Sequence, residues 1–234
     1  MLNPPYSKNN QSGNILIYII GAIFLLGLLV ILAKGSTTPG AGVSQEILIL
    51  RVAEVQQYGR ELEQAVAYVM ANGHSEIDIR FAHPDAVSAY GDITILPTRQ
   101  IFSRAGGGAT YRPAPNDVQV VPTDWLFSAE NRVINVGSTS GTDQDAELIS
   151  FLPNVDEEFC IAINEKNRIP NPADAPPQNS GSVEITVPFT GTYQLTETIQ
   201  DGLGNLTGQT EGCFEGGGTP PTNTFHYYRV LLAR

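Results

Sequence analysis

The sequence predicts an α+β protein in which an N-terminal transmembrane helix precedes an amphipathic helix packed on an antiparallel β-sheet. Three observations support this fold class. One stretch of 19 residues has no charged side chain, a second repeats apolar residues at helical spacing, and the rest alternates short apolar runs with turn-forming residues. Only 16% of the residues are charged, while 23 are Gly and 16 are Pro. Such a composition favours a loop-rich β or α+β domain over a helical bundle.

The first predicted element is a membrane anchor. Residues 15–33 read ILIYIIGAIFLLGLLVILA and carry no charge. A helix of this length spans about 28 Å, close to the ~30 Å hydrocarbon core of a bilayer. The apolar run is longer than that of a signal peptide, and no clear cleavage site follows it. We therefore expect residues 1–13 to form a leader or cytoplasmic tail, 14–34 a transmembrane helix, and 35–43 a flexible Gly- and Thr-containing linker.

The second predicted element is an amphipathic helix that begins at Ser44 and ends at Asn72-Gly73, because Gly suits the left-handed position after a helix. Its apolar or small residues alternate spacings of four and three, at Leu48, Val52, Val55, Gly59, Leu62, Val66 and Val69. Other apolar residues widen this heptad stripe, namely Ile47, Leu50, Tyr58 and Tyr68. A stripe this broad favours packing on a sheet of the same chain over a coiled-coil partner.

The remaining elements are expected to be short and to complete one domain over residues 44–234. Apolar or alternating runs that predict strands occur at 77–81, 93–96, 132–136, 147–152, 183–189, 193–198 and 226–232. A second helix is expected where Asn154 and Glu157 form a capping-box-like pattern ahead of Phe159 and Ile163. Residues 170–177 and 212–221 are expected to be surface loops.

Two cysteines, Cys160 and Cys213, lie in this domain. Neither belongs to a CxxC pair and no His is near either in sequence, so a zinc site is disfavoured. In an exported domain two cysteines most often form one disulfide, and the alternative is two separate buried thiols. A disulfide and the scarcity of Lys in the domain favour a cytoplasmic N-terminus with the domain outside the cytoplasm.

The charge distribution and the side-chain patterns exclude several functions. Residues 1–36 contain Lys8 and Lys34 and no acid, so the rest of the chain carries 11 basic and 24 acidic side chains. A domain this acidic repels phosphate backbones, and we expect no nucleic-acid partner. The histidines are scattered, and the Gly-flanked segment 137–141 has Thr where a nucleophile elbow needs Ser. We therefore assign no catalytic residue and expect no enzymatic activity.

One acidic segment is a candidate metal site. Asp143, Asp145 and Glu147 alternate beside Gly, Ser and Thr and offer the hard oxygen ligands that Ca²⁺ prefers. A solvated acidic turn is the alternative, because the segment lacks the Gly and the distal Glu of an EF-hand loop. No other cofactor is expected. A set of aromatic residues either lines a glycan or partner surface or packs under the sheet: Trp125, Phe127, Tyr193, Phe225, Tyr227 and Tyr228.

The layout resembles that of type IV pilins and of the pseudopilins of type II secretion systems. The shared features are a short polar leader with Lys8 that ends in Gly13, an apolar helix, an amphipathic helix, a β-rich domain and a late pair of cysteines. The stretch QSGNILIYIIGAIFLLGLL is also similar to the anchors of pilin-like proteins of alphaproteobacteria. The resemblance covers the layout of the whole chain, but in sequence it covers the anchor alone.

This resemblance implies cleavage after Gly13, which would make Asn14 the first residue. The fifth residue would then be Tyr18, where pilins usually carry a Glu that pairs with a neighbour's amino terminus. The departure favours a minor, tip or accessory subunit over the repeating subunit of a filament. The implied partners are the membrane and identical or related pilin-like subunits, contacted through an assembly helix that includes Ile15, Phe24, Leu28, Leu48, Val52, Val55, Leu62 and Val66.

Two functions of different classes remain open. The first is a structural or assembly role, as a pilin-like or minor pseudopilin subunit of a cell-envelope filament or secretion apparatus. The protein would then be a single-pass inner-membrane protein with its C-terminal domain outside the cytoplasm, or part of an extracellular filament after assembly. The alternative is a membrane-anchored periplasmic module that binds glycan or protein. A viral membrane is compatible with the same layout.

Overall fold

A long helix, α1, is the first continuous element of the computed structural model, which describes residues 19–20, 41–138 and 142–234. α1 spans Ala41–Ala71 and begins three residues before the expected Ser44. Its end agrees with the prediction, because Asn72 donates its N–H to the last turn and Gly73 has a φ of +87°. Gly adopts this left-handed conformation without steric cost because it has no Cβ.

The predicted anchor at 14–34 lies outside the described residues, apart from Ile19 and Ile20, which are helical. The leader at 1–13 also lies outside them, as does the predicted linker except residues 41–43, which belong to α1. Of the helices that the structure describes, none has both the length and the hydropathy to span a bilayer.

A five-stranded sheet lies at the centre of the compact unit Leu48–Arg234. Its strands are β1 (Leu126–Val133), β2 (Glu147–Val155), β3 (Glu197–Ile199), β4 (Glu211–Glu215) and β5 (Phe225–Leu232). They are arranged in the order β3-β1-β2-β5-β4. The pairs β1–β2, β2–β5 and β5–β4 are antiparallel, whereas β3 runs parallel to β1. The predicted antiparallel sheet is therefore a mixed sheet, because a long crossover connection returns the chain to the β1 edge in the same direction.

The strand predictions were accurate for β2 and β5, partly correct for β1 and β3, and wrong for three other segments. Residues 147–152 and 226–232 lie in β2 and β5, while 132–136 and 193–198 overlap only the ends of β1 and β3. The other three predicted runs form no strand, at 77–81, 93–96 and 183–189. Their apolar side chains Ile79, Phe81 and Val183 are buried from irregular chain instead. β4 occupies part of the predicted loop at 212–221.

The second helix, α2, spans Glu157–Asn167. Its capping residue is Asp156, whose carboxylate accepts the N–H of Glu158 at 2.9 Å. The predicted cap, Asn154, instead lies in β2 with a φ of +54°. Phe159 and Ile163, which the sequence placed in this helix, are both buried.

Each face of the sheet has its own apolar core. Helices α1 and α2 cover one face, where Leu62 and Phe159 join Tyr227 of β5. Irregular chain, mostly between α2 and β4, covers the other, where Val183 and Ile185 join Tyr228. Successive residues of β5 thus enter opposite cores, as the two-residue period of a strand requires. Four of the noted aromatic residues are almost fully buried, which favours the core-packing interpretation: Trp125, Phe127, Tyr227 and Tyr228.

A disulfide joins Cys160 of α2 to Cys213 of β4, with 5.3 Å between the two Cα atoms. This pairing confirms the sequence prediction. The same two elements are held together by Asn164, whose side-chain amide accepts the N–H of Cys213 at 2.9 Å and donates to its carbonyl at 3.0 Å. Both the disulfide and the amide are buried, so α2 covers edge strand β4 with satisfied hydrogen bonds.

Candidate functional site

The buried face of α1 is the predicted heptad stripe. Leu48 is half-buried, and the six following stripe positions are buried. Tyr58 lies beside the stripe and packs edge-on against Trp125, with 5.2 Å between ring centroids. Its hydroxyl accepts the backbone N–H of Arg112 at 3.2 Å. This face of the helix is therefore occupied by the chain's own domain.

Gly59 marks the point where α1 crosses β5. A Cβ at this position would lie 2.6 Å from Cδ of Arg229 and 3.0 Å from the hydroxyl of Tyr227. The Arg229 guanidinium donates to Glu63 of α1 at 2.6 Å and to Glu211 of β4 at 2.8 Å. The missing side chain of Gly59 leaves room for an arginine that links one helix to two strands.

Apolar side chains are exposed at the start of α1. Ile47 is 44% exposed, Ile49 58% and Leu50 67%. Tyr68, near the end of the helix, is also exposed. When a partner covers large apolar side chains that are exposed together on one helix, their removal from water favours binding. We call Ile47, Ile49 and Leu50 the α1 apolar surface.

The predicted assembly residues divide into two groups. Gly13, Asn14, Ile15, Phe24 and Leu28 lie outside the described residues. The other group lies on the buried face of α1: Leu48 is half-buried, and Val52, Val55, Leu62 and Val66 are buried in the core. The structure leaves the α1 apolar surface open instead, and Leu50 and Ile47 were noted in the sequence only as residues that widen the stripe.

The predicted calcium ligands all have protein partners. Asp143 accepts the N–H of Leu195 at 2.9 Å, Asp145 lies 3.5 Å from the Arg132 guanidinium, and Glu147 accepts the N–H of Val133 at 2.8 Å. In residues 41–138 and 142–234, no group of three or more His, Cys, Asp or Glu side chains is arranged to hold a metal ion. Calcium binding at this loop stays a prediction.

Burial decides the charge state of Glu147, which opens β2. Its side chain is fully buried, and its Oε1 has no hydrogen-bond partner. Burial raises the pKa of this carboxyl to about 8, and the nearby charge of Asp145 adds to the rise. The hydrogen bond from Val133 opposes the increase but does not cancel it. Glu147 is therefore mainly protonated at neutral pH.

A cavity of about 570 Å³ opens at one end of the sheet. Its wall is mostly apolar, with Val87, Leu126, Pro153, Ile185, Pro220 and Pro221. The polar lining residues are Thr123, Asp124, Asn154, Thr186, Thr224 and His226. These twelve residues come from separate segments of the chain, so no local pattern in the sequence could have identified the cavity. His226 entered the sequence analysis only as one of three scattered histidines.

No protein-family model, curated protein or solved structure matches the chain.

Proposed function

We propose that the protein is a pilin-like accessory subunit of a cell-envelope filament or secretion apparatus, anchored in the membrane by residues 14–34. The observation that carries the proposal is the α1 apolar surface of Ile47, Ile49 and Leu50. It follows the uncharged segment 15–33 along the chain, and the opposite face of the same helix is packed on the sheet. An apolar segment followed by an exposed apolar helix surface suits side-by-side packing with the helices of related subunits.

The disulfide supports a location outside the cytoplasm. Disulfides persist in oxidising compartments such as the bacterial periplasm and the cell surface, and are rare in the cytosol. Cys160 and Cys213 are joined, and both are fully buried. The acidic domain is compatible with a soluble surface on that side of the membrane.

The test is to place a charge within the α1 apolar surface. Leu50→Glu would force a carboxylate into a subunit interface, where burying an unpaired charge costs several kcal/mol. We expect the amount of full-length protein in the sheared filament fraction, or in cross-linked complexes, to fall at least ten-fold. Phe24→Glu, in the predicted anchor, should abolish assembly as well.

Ala67→Glu provides the matched control. Ala67 is exposed on α1, about 25 Å along the helix from Leu50 and on another side of it, so this variant adds the same charge to the same helix away from the apolar surface. It should assemble normally. Thermal unfolding of all three proteins separates lost assembly from lost folding. Normal assembly of a folded Leu50→Glu protein would contradict the proposal.

A membrane-anchored binding module is the second candidate, and the cavity at the end of the sheet favours it. Such a protein would stay monomeric or form small oligomers and would never enter the sheared fraction. Leu50→Glu would leave its ligand binding intact. Assembly and ligand binding are thus separable by one variant.

A further inference from the structure

The hydroxyl groups that line the cavity all donate their hydrogen within the protein. Thr123 donates to the carbonyl of Pro153 at 3.3 Å, Thr186 to the carboxylate of Glu184 at 2.5 Å, and Thr224 to the carbonyl of Pro221 at 2.6 Å. A threonine hydroxyl has only one hydrogen to donate. These three side chains can therefore offer a ligand lone pairs but no donor.

The tautomer of His226 follows from the same network. Nε2 of His226 lies 2.8 Å from the hydroxyl oxygen of Thr224, whose own hydrogen is donated to Pro221. Nε2 must then carry the hydrogen and donate it to Thr224. Nδ1 keeps an unshared lone pair, and this atom is itself buried and has no partner. The side chain is 98% buried, and burial lowers its pKa to about 4, so the imidazole stays neutral at physiological pH.

The fixed charge of the cavity is negative. Asp124 lines it and is exposed. Among the described residues that form the lining, none is Lys or Arg, and Asn154 is the one lining side chain that retains amide donors. An anion would meet the Asp124 carboxylate without a counter-charge, and a sugar would find too few donors for its hydroxyl oxygens.

We propose that this cavity binds a small organic ammonium ion, a protonated primary amine on an apolar body. An ammonium group has three donors, and the lining offers the carboxylate of Asp124, the side-chain oxygen of Asn154 and the lone pairs of the threonine hydroxyls as acceptors. The apolar body contacts the wall of aliphatic residues and prolines. A volume of about 570 Å³ lies in the range of small-molecule sites. This inference is independent of the assembly role and goes beyond it.

The first experiment uses full-length protein in zwitterionic nanodiscs, with ¹⁵N-labelled histidine. The probe is 2-phenylethylammonium, compared with neutral 2-phenylethanol and anionic 3-phenylpropanoate of similar shape. Because His226 lines the cavity, we expect a saturable change in its ring ¹⁵N resonances with the ammonium probe alone. Absence of saturable binding by 2-phenylethylammonium, or equal binding of all three probes, would overturn the proposal.

The second experiment tests the charge. Asp124→Asn keeps the shape of the side chain and removes its charge, and because Asp124 is exposed the fold should be unaffected. Binding of 2-phenylethylammonium should weaken at least ten-fold. Glu165→Gln, at an exposed position of α2 outside the cavity, changes the net charge equally and should alter the affinity less than two-fold. Unchanged affinity in Asp124→Asn would refute the assignment. The two binding experiments do not depend on assembly, so a failure of the assembly proposal and a failure of the ammonium-binding proposal can be told apart.

Discussion

Burial changes the chemistry of individual side chains in this protein. Glu147 is protonated and His226 is neutral near pH 7, because each lies where a charged form would lose its hydration. The residues next to Glu147 and His226 in the sequence do not predict these protonation states. Each of the two residues also has one buried polar atom without a hydrogen-bond partner, which costs free energy in the folded chain.

Glu147 should make the stability of the protein decrease as the pH rises. Its pKa is about 8 in the folded chain, against an ordinary value of 4.5 when unfolded. Between these values the folded chain holds a proton that the unfolded chain has released. The stabilisation is therefore complete below pH 4.5 and is lost as the pH rises toward 8, with a slope of at most about 1.4 kcal/mol per pH unit.

Urea unfolding at pH 5, 6.5 and 8.5 measures this effect, with fluorescence of the single, buried Trp125 as the reporter. Glu147→Gln removes the titration and should flatten the pH dependence relative to the wild type. Glu165→Gln changes an exposed carboxylate and should follow the wild-type curve. Parallel curves for Glu147→Gln and wild type would show that Glu147 titrates normally.

Gly59 should tolerate no large side chain. In Gly59→Leu the new side chain must displace Arg229 and Tyr227, and overpacking of this kind costs about 1–3 kcal/mol. For a chain of this size each kcal/mol lowers Tm by about 2–4 °C. The control is Ala67→Leu on the exposed side of α1, which should change Tm little. Equal Tm values for the two variants would mean that the space between α1 and β5 at Gly59 accommodates a large side chain.

Among the secondary-structure elements, α1 and α2 differ in which of their side chains are buried and which remain exposed. α1 is covered on one side and open at Ile47, Ile49 and Leu50, so one helix can stabilise the domain and also contact a partner. α2 is a short helix whose buried side chains are committed to β4. An edge strand covered in this way is protected from pairing with another chain.

Asn164→Ala should loosen the contact between α2 and β4. The variant leaves the N–H and the carbonyl of Cys213 without their buried partner, and each unsatisfied group costs about 1–3 kcal/mol. Hydrogen exchange of the Cys213 amide should accelerate, and the free energy of unfolding should fall by about 2 kcal/mol. Glu165→Ala, the exposed neighbour on α2, should change neither quantity. Unaltered exchange at Cys213 would argue that the Asn164 amide contributes little to holding α2 on β4.

For the molecule as a whole, the disulfide closes a loop that contains α2, β3 and the irregular chain over the second core. These segments have few backbone pairs of their own, and β3 pairs through only three residues. A cross-link over 53 residues restricts the unfolded chain and thereby favours the folded one.

Removal of both cysteines, as Cys160→Ala with Cys213→Ala, should lower the free energy of unfolding by about 4 kcal/mol in the chain-entropy model. Thermal or urea unfolding measures the loss. Because both sulfurs are buried, dithiothreitol should leave the native wild type oxidised until it unfolds. Rapid reduction of the folded protein would show that the loop opens without global unfolding.

The sequence by itself determined the features that depend on local periodicity and composition. The spacing from Leu48 to Val69 correctly predicted the buried face of α1, since a helical period assigns each residue to a side. Alternation and turn residues correctly located most of β2 and β5. The presence of two cysteines outside any metal-binding pattern predicted the disulfide.

Only the tertiary structure decided the parallel pairing of β3, the position of β4, the protonation of Glu147 and the cavity around His226. Each of these features depends on segments that are distant in sequence. β3 pairs with β1 and β4 pairs with β5, while Val133 and Asp145 lie beside Glu147. The cavity is lined by residues from positions 87 to 226. A side chain's own neighbours in sequence set its face on a helix or strand. Its hydration and hydrogen-bond partners come from chain that is remote in sequence, and those interactions fix charge and cavity shape.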